Sequence, residues 1–336
     1  MAPSRRQPGK KSRLTAADYC KGVCKGDRRL VAKTITLLES RRPDHVELGR
    51  QVLEQLVPES GGSIRVGITG PPGVGKSTLI ETLGLELIQQ QHRVAVLAVD
   101  PTSPVSGGSI LGDKTRMTRL SQASQAFIRP SPSGLTLGGV AHRTREAVLV
   151  CEAAGYDVVI VETVGVGQSE TEVASMVDFF AVLLQPGAGD ELQGLKRGVL
   201  ELADALVVNK ADGEQKQAAE RTRAEYSQAL HLLSAPSESW TPPILALSAR
   251  TGEGVGELWK TVLRHREAGL GSGELEARRR GQARAWFWHL VEEGIEARFR
   301  ADPAVAALIP ELEQQLDERA SSAPAAARAL LDKFRS

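Results

Sequence analysis

Residues 70–77 read Gly-Pro-Pro-Gly-Val-Gly-Lys-Ser, the G-x-x-x-x-G-K-S spacing of a phosphate-binding loop. The apolar run IRVGIT (64–69) precedes it and the helical run TLIETLGLELI (78–88) follows. That is the strand–loop–helix setting the motif requires. Gly73 and Gly75 let the backbone bend so that its N–H groups face phosphate oxygens. The helix N-terminus adds its dipole. Lys76 brings a positive charge to the β- and γ-phosphates, and the Ser77 hydroxyl is a ligand for Mg²⁺.

Working outward, short apolar runs alternate with helical stretches over residues 63–268. The runs are Ile64–Thr69, Arg93–Val99, Ala126–Arg129, Asp157–Glu162, Asp178–Leu184, Asp204–Val208 and Ile244–Leu247. Several are nearly continuous Val, Ile, Leu and Ala, the pattern of strands covered on both faces. The fold class expected is α/β, a P-loop NTPase with a mostly parallel sheet flanked by helices. Residues 1–62 read as a basic arm and a helical extension. Asp27 caps a helix bearing Leu30, Val31, Thr34, Ile35 and Leu38, and Val52, Leu53 and Leu56 mark a second. Residues 269–336 read as a helical arm. Glu274 to Arg300 forms one helix with Phe287, Leu290, Val291, Gly294 and Ile295 on a stripe. Asp302-Pro303 starts another, Pro310 should kink or break it, and residues 320–327 read as a hinge. Every tryptophan lies at or beyond Trp240, so this arm has large apolar surface to cover, on its own core or on another subunit.

The chain has 336 residues, 41% hydrophobic and 25% charged, which is enough apolar material for a core and excludes wholesale disorder. Its net charge of +1 argues against nucleic-acid or other polyanion binding as the main activity. No apolar run approaches the roughly 20 residues of a membrane span. Three cysteines, Cys20, Cys24 and Cys151, make no disulfide framework, which suits a reducing compartment such as the cytoplasm. The opening MAPSRRQPGKKSR lacks the apolar segment of a secretory signal and reads as a short disordered arm.

Leu206-Val207-Val208 leads into Asn209-Lys210-Ala211-Asp212, an N-K-x-D motif at a strand end. A carboxylate at Asp212 accepts from guanine N1–H and N2–H, a donor pair adenine lacks. Lys210 can lay its stem along the ribose and base. Leu247-Ser248-Ala249-Arg250 resembles the third base-contacting loop of GTPases, although a helix-capping Ser would look the same.

Two further segments carry acids. Glu162 ends a strand beside the phosphate loop and can hold Mg²⁺ through water, and Gly165 can give its N–H to the γ-phosphate. The loop between them would then report which nucleotide is bound. Asp100 opens a Gly/Ser-rich loop, and Asp113 within it is another candidate Mg²⁺ ligand. Mg²⁺ keeps several waters, so not all these acids bind it directly at once. Small Ras-like GTPases place Gln directly after this Gly; here Val166 stands there and Gln168 follows. Slow intrinsic turnover, accelerated by a partner, is the expectation.

The segments GITGPPGVGKST (67–78), VLAVDPTSPVSGGSILGDKTRM (96–117), IRPSPSGLTLGGVA (128–141), VETVGVGQSETEVA (161–174), QPGAGDELQGLKRGVLELAD (185–204) and VVNKAD (207–212) together resemble the MeaB/ArgK-type P-loop GTPases. These are chaperones of adenosylcobalamin-dependent methylmalonyl-CoA mutase, related to the mitochondrial methylmalonic aciduria type A protein. The resemblance covers about residues 27–336. It implies GTP hydrolysis that gates cofactor loading onto an acyl-CoA mutase and protects or rescues it, with GTP/GDP and Mg²⁺ as ligands. It implies a homodimer through the C-terminal arm. It places nucleotide contacts on Gly73, Gly75, Lys76, Ser77, Thr78, Asn209, Asp212 and Ser248, and Mg²⁺-associated acids on Asp100, Asp113 and Glu162. It marks residues 185–198, with Asp190, Glu191, Lys196 and Arg197, as a mobile partner-responsive loop.

Two rival functions remain. A kinase of amino-acid transport would need ATP, against which Asn209–Asp212 argues. A metallochaperone GTPase would carry a His or Cys tract. The histidines form none, and Cys20 and Cys24 have no second pair nearby.

Overall fold

The β-branched run at 64–69 forms β1 (Ile64–Thr69), the strand from which the architecture of the computed structural model is built. The structure describes residues 14–99, 117–130, 137–163, 169–187, 197–230 and 239–334. The remaining strands are β2 (Val94–Val99), β3 (Ala126–Arg129), β4 (Val158–Thr163), β5 (Phe179–Leu184), β6 (Ala205–Val208) and β7 (Ile244–Ala246). They form one sheet in the order β3-β2-β4-β1-β5-β6-β7, and every pairing is parallel. Each apolar run therefore yields its expected strand. β1, β2, β4, β5 and β6 are buried along most or all of their length, as both-faced coverage requires.

The helices are α1 (Ala16–Cys24), α2 (Arg28–Leu38), α3 (Pro43–Leu56), α4 (Lys76–Gln89), α5 (Thr118–Gln122), α6 (Leu137–Ala153), α7 (Ser169–Ala174), α8 (Arg197–Leu200), α9 (Lys216–Leu230), α10 (Val255–Ser272), α11 (Glu274–Ala301), α12 (Pro303–Asp317) and α13 (Ala323–Lys333). One face of the sheet buries Val159, Val161, Phe180 and Val182 with Val31, Ile35 and Leu38 of α2 and Val148 and Cys151 of α6. The other buries Val66, Ile68, Ile160 and Leu183 with Leu79, Ile80 and Leu83 of α4 and Leu258 and Trp259 of α10. Asp27 caps α2 as its sequence implies, accepting from the amides of Arg29 and Leu30. α1 is an addition to the sequence reading. Thr15 and Asp18 exchange hydrogen bonds in a capping box that starts it, a signal visible at 15–18.

Four strands, β2, β4, β5 and β6, begin one residue later than their apolar runs suggest, and in the last three the leading aspartate serves another end. Asp157 Oδ1 accepts from the Arg93 amide, Asp178 Oδ2 from Arg65 and Asp204 Oδ2 from Phe180. Each carboxylate thus satisfies an amide within one residue of the start of a neighbouring strand.

The chain divides into two units, Met1–Arg278 and Arg279–Ser336. Within the second, Asp302 caps α12 through the amides of Ala304 and Val305. Helix α12 runs unbroken past Pro310, correcting the break expected there. Its cap and its buried Val305 and Leu312, on either side of the proline, outweigh one lost backbone bond. The hinge expected over residues 320–327 is shorter, because Ser322 caps α13 and starts it at Ala323. Phe299 and Phe334 meet edge to face at 5.2 Å. On α11, Phe287, Trp288 and Ile295 are exposed. No helix among the described residues is long and apolar enough to cross a membrane.

Candidate nucleotide site

In a parallel sheet of this kind, ligands sit beyond the carboxyl ends of the strands. That edge gathers the phosphate loop after β1, Glu162 near the end of β4, Asn209 after β6 and Ser248 after β7. The loop's shape is local in origin. Gly75 takes φ +98° as the N-cap of α4, a left-handed conformation costly to other residues. A Cβ there would lie 2.6 Å from Asn209 Nδ2, so glycine is required twice over. Gly73 has φ +78° in the same turn.

Lys76 folds back over its own loop. Its Nζ donates to the carbonyls of Gly70 at 2.7 Å and Pro71 at 3.2 Å. The ammonium is therefore already seated above the loop in which phosphates would lie. Ser77 Oγ donates to Glu162 Oε1 at 3.0 Å, joining α4 to the end of β4. Glu162 is 6% exposed. A hydroxyl and a carboxylate this close are hard oxygen donors of the kind Mg²⁺ takes, so the residues present suit that ion. Thr78, one residue on, is exposed.

The base-side segments are tied to each other and to the phosphate loop. Asn209 is 2% exposed and braces both. Its Nδ2 donates to Val74 O at 2.8 Å, and its Oδ1 accepts from the Ala249 amide at 3.0 Å. Ser248 Oγ donates to Asp212 Oδ1 at 2.7 Å and itself accepts from the Thr251 amide. Lys210 takes φ +62°, which turns the chain between the buried Asn209 and Asp212 and leaves Lys210 exposed. Asp212 Oδ2 has no hydrogen bond among the described residues, which suits a carboxylate prepared for an incoming pair of N–H donors.

The structure thus brings together Gly73, Gly75, Lys76, Ser77, Glu162, Asn209, Asp212, Ser248 and Ala249 at one edge. Asp100, Asp113, Gly165, Gln168, Asp190, Glu191 and Lys196 lie outside the described residues, as do residues 1–13. No group of three or more His, Cys, Asp or Glu among the described residues is placed to hold a metal. The sequence reading does not single out Thr82, whose Oγ1 donates to Ala249 O at 2.7 Å and pins α4 to the Ser248 loop. Nor does it single out Thr69 and Thr163, whose hydroxyls meet at 2.6 Å. No local motif marks any of the three.

A wholly parallel sheet with a phosphate loop on its central strand defines a P-loop protein of the α/β class. The family is equally plain. The model of the methylmalonyl Co-A mutase-associated GTPase MeaB matches residues 31–304, and the chain belongs to that family. It is 48% identical to GTPase ArgK of Escherichia coli, over 84% of this chain and 85% of that one. It is 47% identical to the mitochondrial methylmalonic aciduria type A homolog of Mus musculus, over 94% of this chain and 78% of that one. Among solved structures it is similar to a LAO/AO transport system kinase, with TM-score 0.75 and 37% identity, over 96% of this chain and 98% of that one.

Proposed function

We propose that this protein is a GTP-hydrolysing chaperone that gates cofactor loading onto a cobalamin-dependent acyl-CoA mutase, methylmalonyl-CoA mutase first among them, and protects or reactivates it. Family membership supports the mutase as partner. The observation that carries the nucleotide chemistry is the Asn209 brace, which binds phosphate loop and base loops into one unit.

In this reading the β- and γ-phosphates lie over the loop amides, and Lys76 exchanges its two carbonyl partners for phosphate oxygens. Asp212, steadied by Ser248, accepts from guanine N1–H and N2–H. Adenine would leave that carboxylate unsatisfied, which is the basis of discrimination. Lys210 covers the base and ribose, the amides of Gly73, Gly75 and Thr78 complete the cradle, and Ala249, its amide held by Asn209, borders the base. Ser77 and Glu162, with Asp100 and Asp113, would hold Mg²⁺, which would neutralise charge developing between the β- and γ-phosphates. The Gly165 amide contacts the γ-phosphate, so hydrolysis releases the loop it begins. With Val166 where a water-orienting Gln would stand, turnover alone is slow and the partner accelerates it. A homodimer through residues 269–336 gives the exposed Phe287, Trp288 and Ile295 their cover.

The similar LAO/AO transport system protein is called a kinase, and a kinase would transfer phosphate to an acceptor. The Asp212–Ser248 pair favours guanine, and so a hydrolase, over an ATP-dependent kinase. Steady-state GTP turnover with and without a purified cobalamin-dependent acyl-CoA mutase tests the proposal. A rise of about tenfold, roughly 1.4 kcal/mol of barrier, is expected. An unchanged rate with each such mutase would refute the partner assignment.

A further inference from the structure

Strands β1 and β4 lie side by side with Ile68 opposite Glu162, which brings Thr69 beside Thr163. Their hydroxyls meet at 2.6 Å, and both side chains are fully buried. Each threonine adjoins a working part of the site. Thr69 precedes Gly70, whose carbonyl seats Lys76. Thr163 follows Glu162, whose carboxylate receives Ser77.

Alternation along the strands separates the two contacts. Ile68 and Ile160 face the core beneath α4, on which side Glu162 meets Ser77. Val159 and Val161 face the opposite core, and Thr69 and Thr163 share their side. The ends of β1 and β4 are therefore held from both faces, by Ser77–Glu162 on one and by the threonine pair on the other.

Packing alone does not ask for these hydroxyls. Two hydroxyls carry two protons, and the bond between them, the one side-chain hydrogen bond either makes among the described residues, uses one. Two valines of the same shape would fill the space without leaving a buried O–H short of an acceptor. We propose that Thr69 and Thr163 are positioning residues that fix the Glu162 carboxylate relative to the phosphate loop, and so act on turnover rather than on nucleotide affinity. The inference rests on the GTP-hydrolase reading above.

The test uses the full chain carrying T69V/T163V, with T163S and T69S as conservative variants. Steady-state GTP turnover, GDP affinity and thermal midpoint are measured beside wild type. The double valine variant is expected to keep its midpoint and to bind GDP within about twofold of wild type, while kcat falls about tenfold. Each serine variant keeps the hydroxyl and is expected to keep wild-type kcat. A double variant with wild-type kcat overturns the inference. So does a loss of GDP affinity equal to the loss of turnover, which would mean general damage to the loop. Should the double variant fail to fold, the single T163V beside T163S decides: a fall in kcat of several-fold in the valine variant with wild-type kcat in the serine variant upholds the proposal, and wild-type kcat in T163V overturns it. Wild-type turnover separates the two readings, because its absence refutes the hydrolase itself, whereas active wild type with an unaffected double variant refutes only the positioning role.

Discussion

Asp212 accepts from Ser248 through Oδ1, and in the proposed reading Oδ2 is left to receive guanine. Asp212→Asn replaces an acceptor by an N–H donor facing guanine N1–H and N2–H. GTP affinity should fall roughly a hundredfold. Affinity for xanthosine triphosphate, which offers a carbonyl at C2, should rise. Competition with a fluorescent nucleotide measures both, and undiminished GTP preference would remove Asp212 from base recognition. Lys76→Ala should abolish turnover, since nothing else among the described residues places a cation above the loop. Glu162→Ala should lower Mg²⁺-dependent hydrolysis more than GDP binding, and equal losses would mark the residue as structural. Asn209→Ala strands a buried carbonyl and a buried amide. It should cost about 2–4 kcal/mol of stability by urea unfolding, and it should loosen nucleotide binding.

The elements are legible where their signals are contiguous. Each strand announces itself as a short apolar run, several of them nearly continuous Val, Ile, Leu and Ala, and the phosphate loop and Asn209–Asp212 are short motifs at strand ends. What joins them is not legible. Thr69 and Thr163 are 94 positions apart, Asn209 and Val74 135, and Thr82 and Ala249 167. No period or local spacing encodes such pairs, because they exist only once the sheet order is set. The aspartates before β4, β5 and β6 pass for strand residues in the sequence for the same reason, since their partners belong to neighbouring strands. Asp204 adds a prediction at this scale. Burial opposes its charge, but hydrogen bonds from His265 and Arg278 hold its carboxyl below the ordinary value of 3.8. Its folded value lies below its unfolded one. The stabilisation is therefore complete above about pH 4 and is lost as pH falls through the folded value. Asp204→Asn strands Arg278, whose guanidinium grips both carboxylate oxygens at 2.9 Å. It should cost about 3 kcal/mol near neutral pH and flatten the acid limb of a stability–pH curve. A variant as stable as wild type at pH 7 would contradict this.

At the scale of the molecule, α11 poses a question of oligomeric state. Phe287 is 57% exposed and Trp288 61%, an expensive pair to leave in water. Light scattering of the purified chain should give the mass of a dimer, and Phe287→Ser with Trp288→Ser should shift it toward 36.0 kDa. An unchanged dimer would place the interface elsewhere. Guanine nucleotide hydrolysis by the intact protein is the central activity proposed, and phosphate release from GTP and ATP, side by side in Mg²⁺, tests it most directly. Release from GTP, slow but at least about a hundredfold faster than from ATP, is the predicted result. Equal release from both, or release from ATP alone, would contradict it.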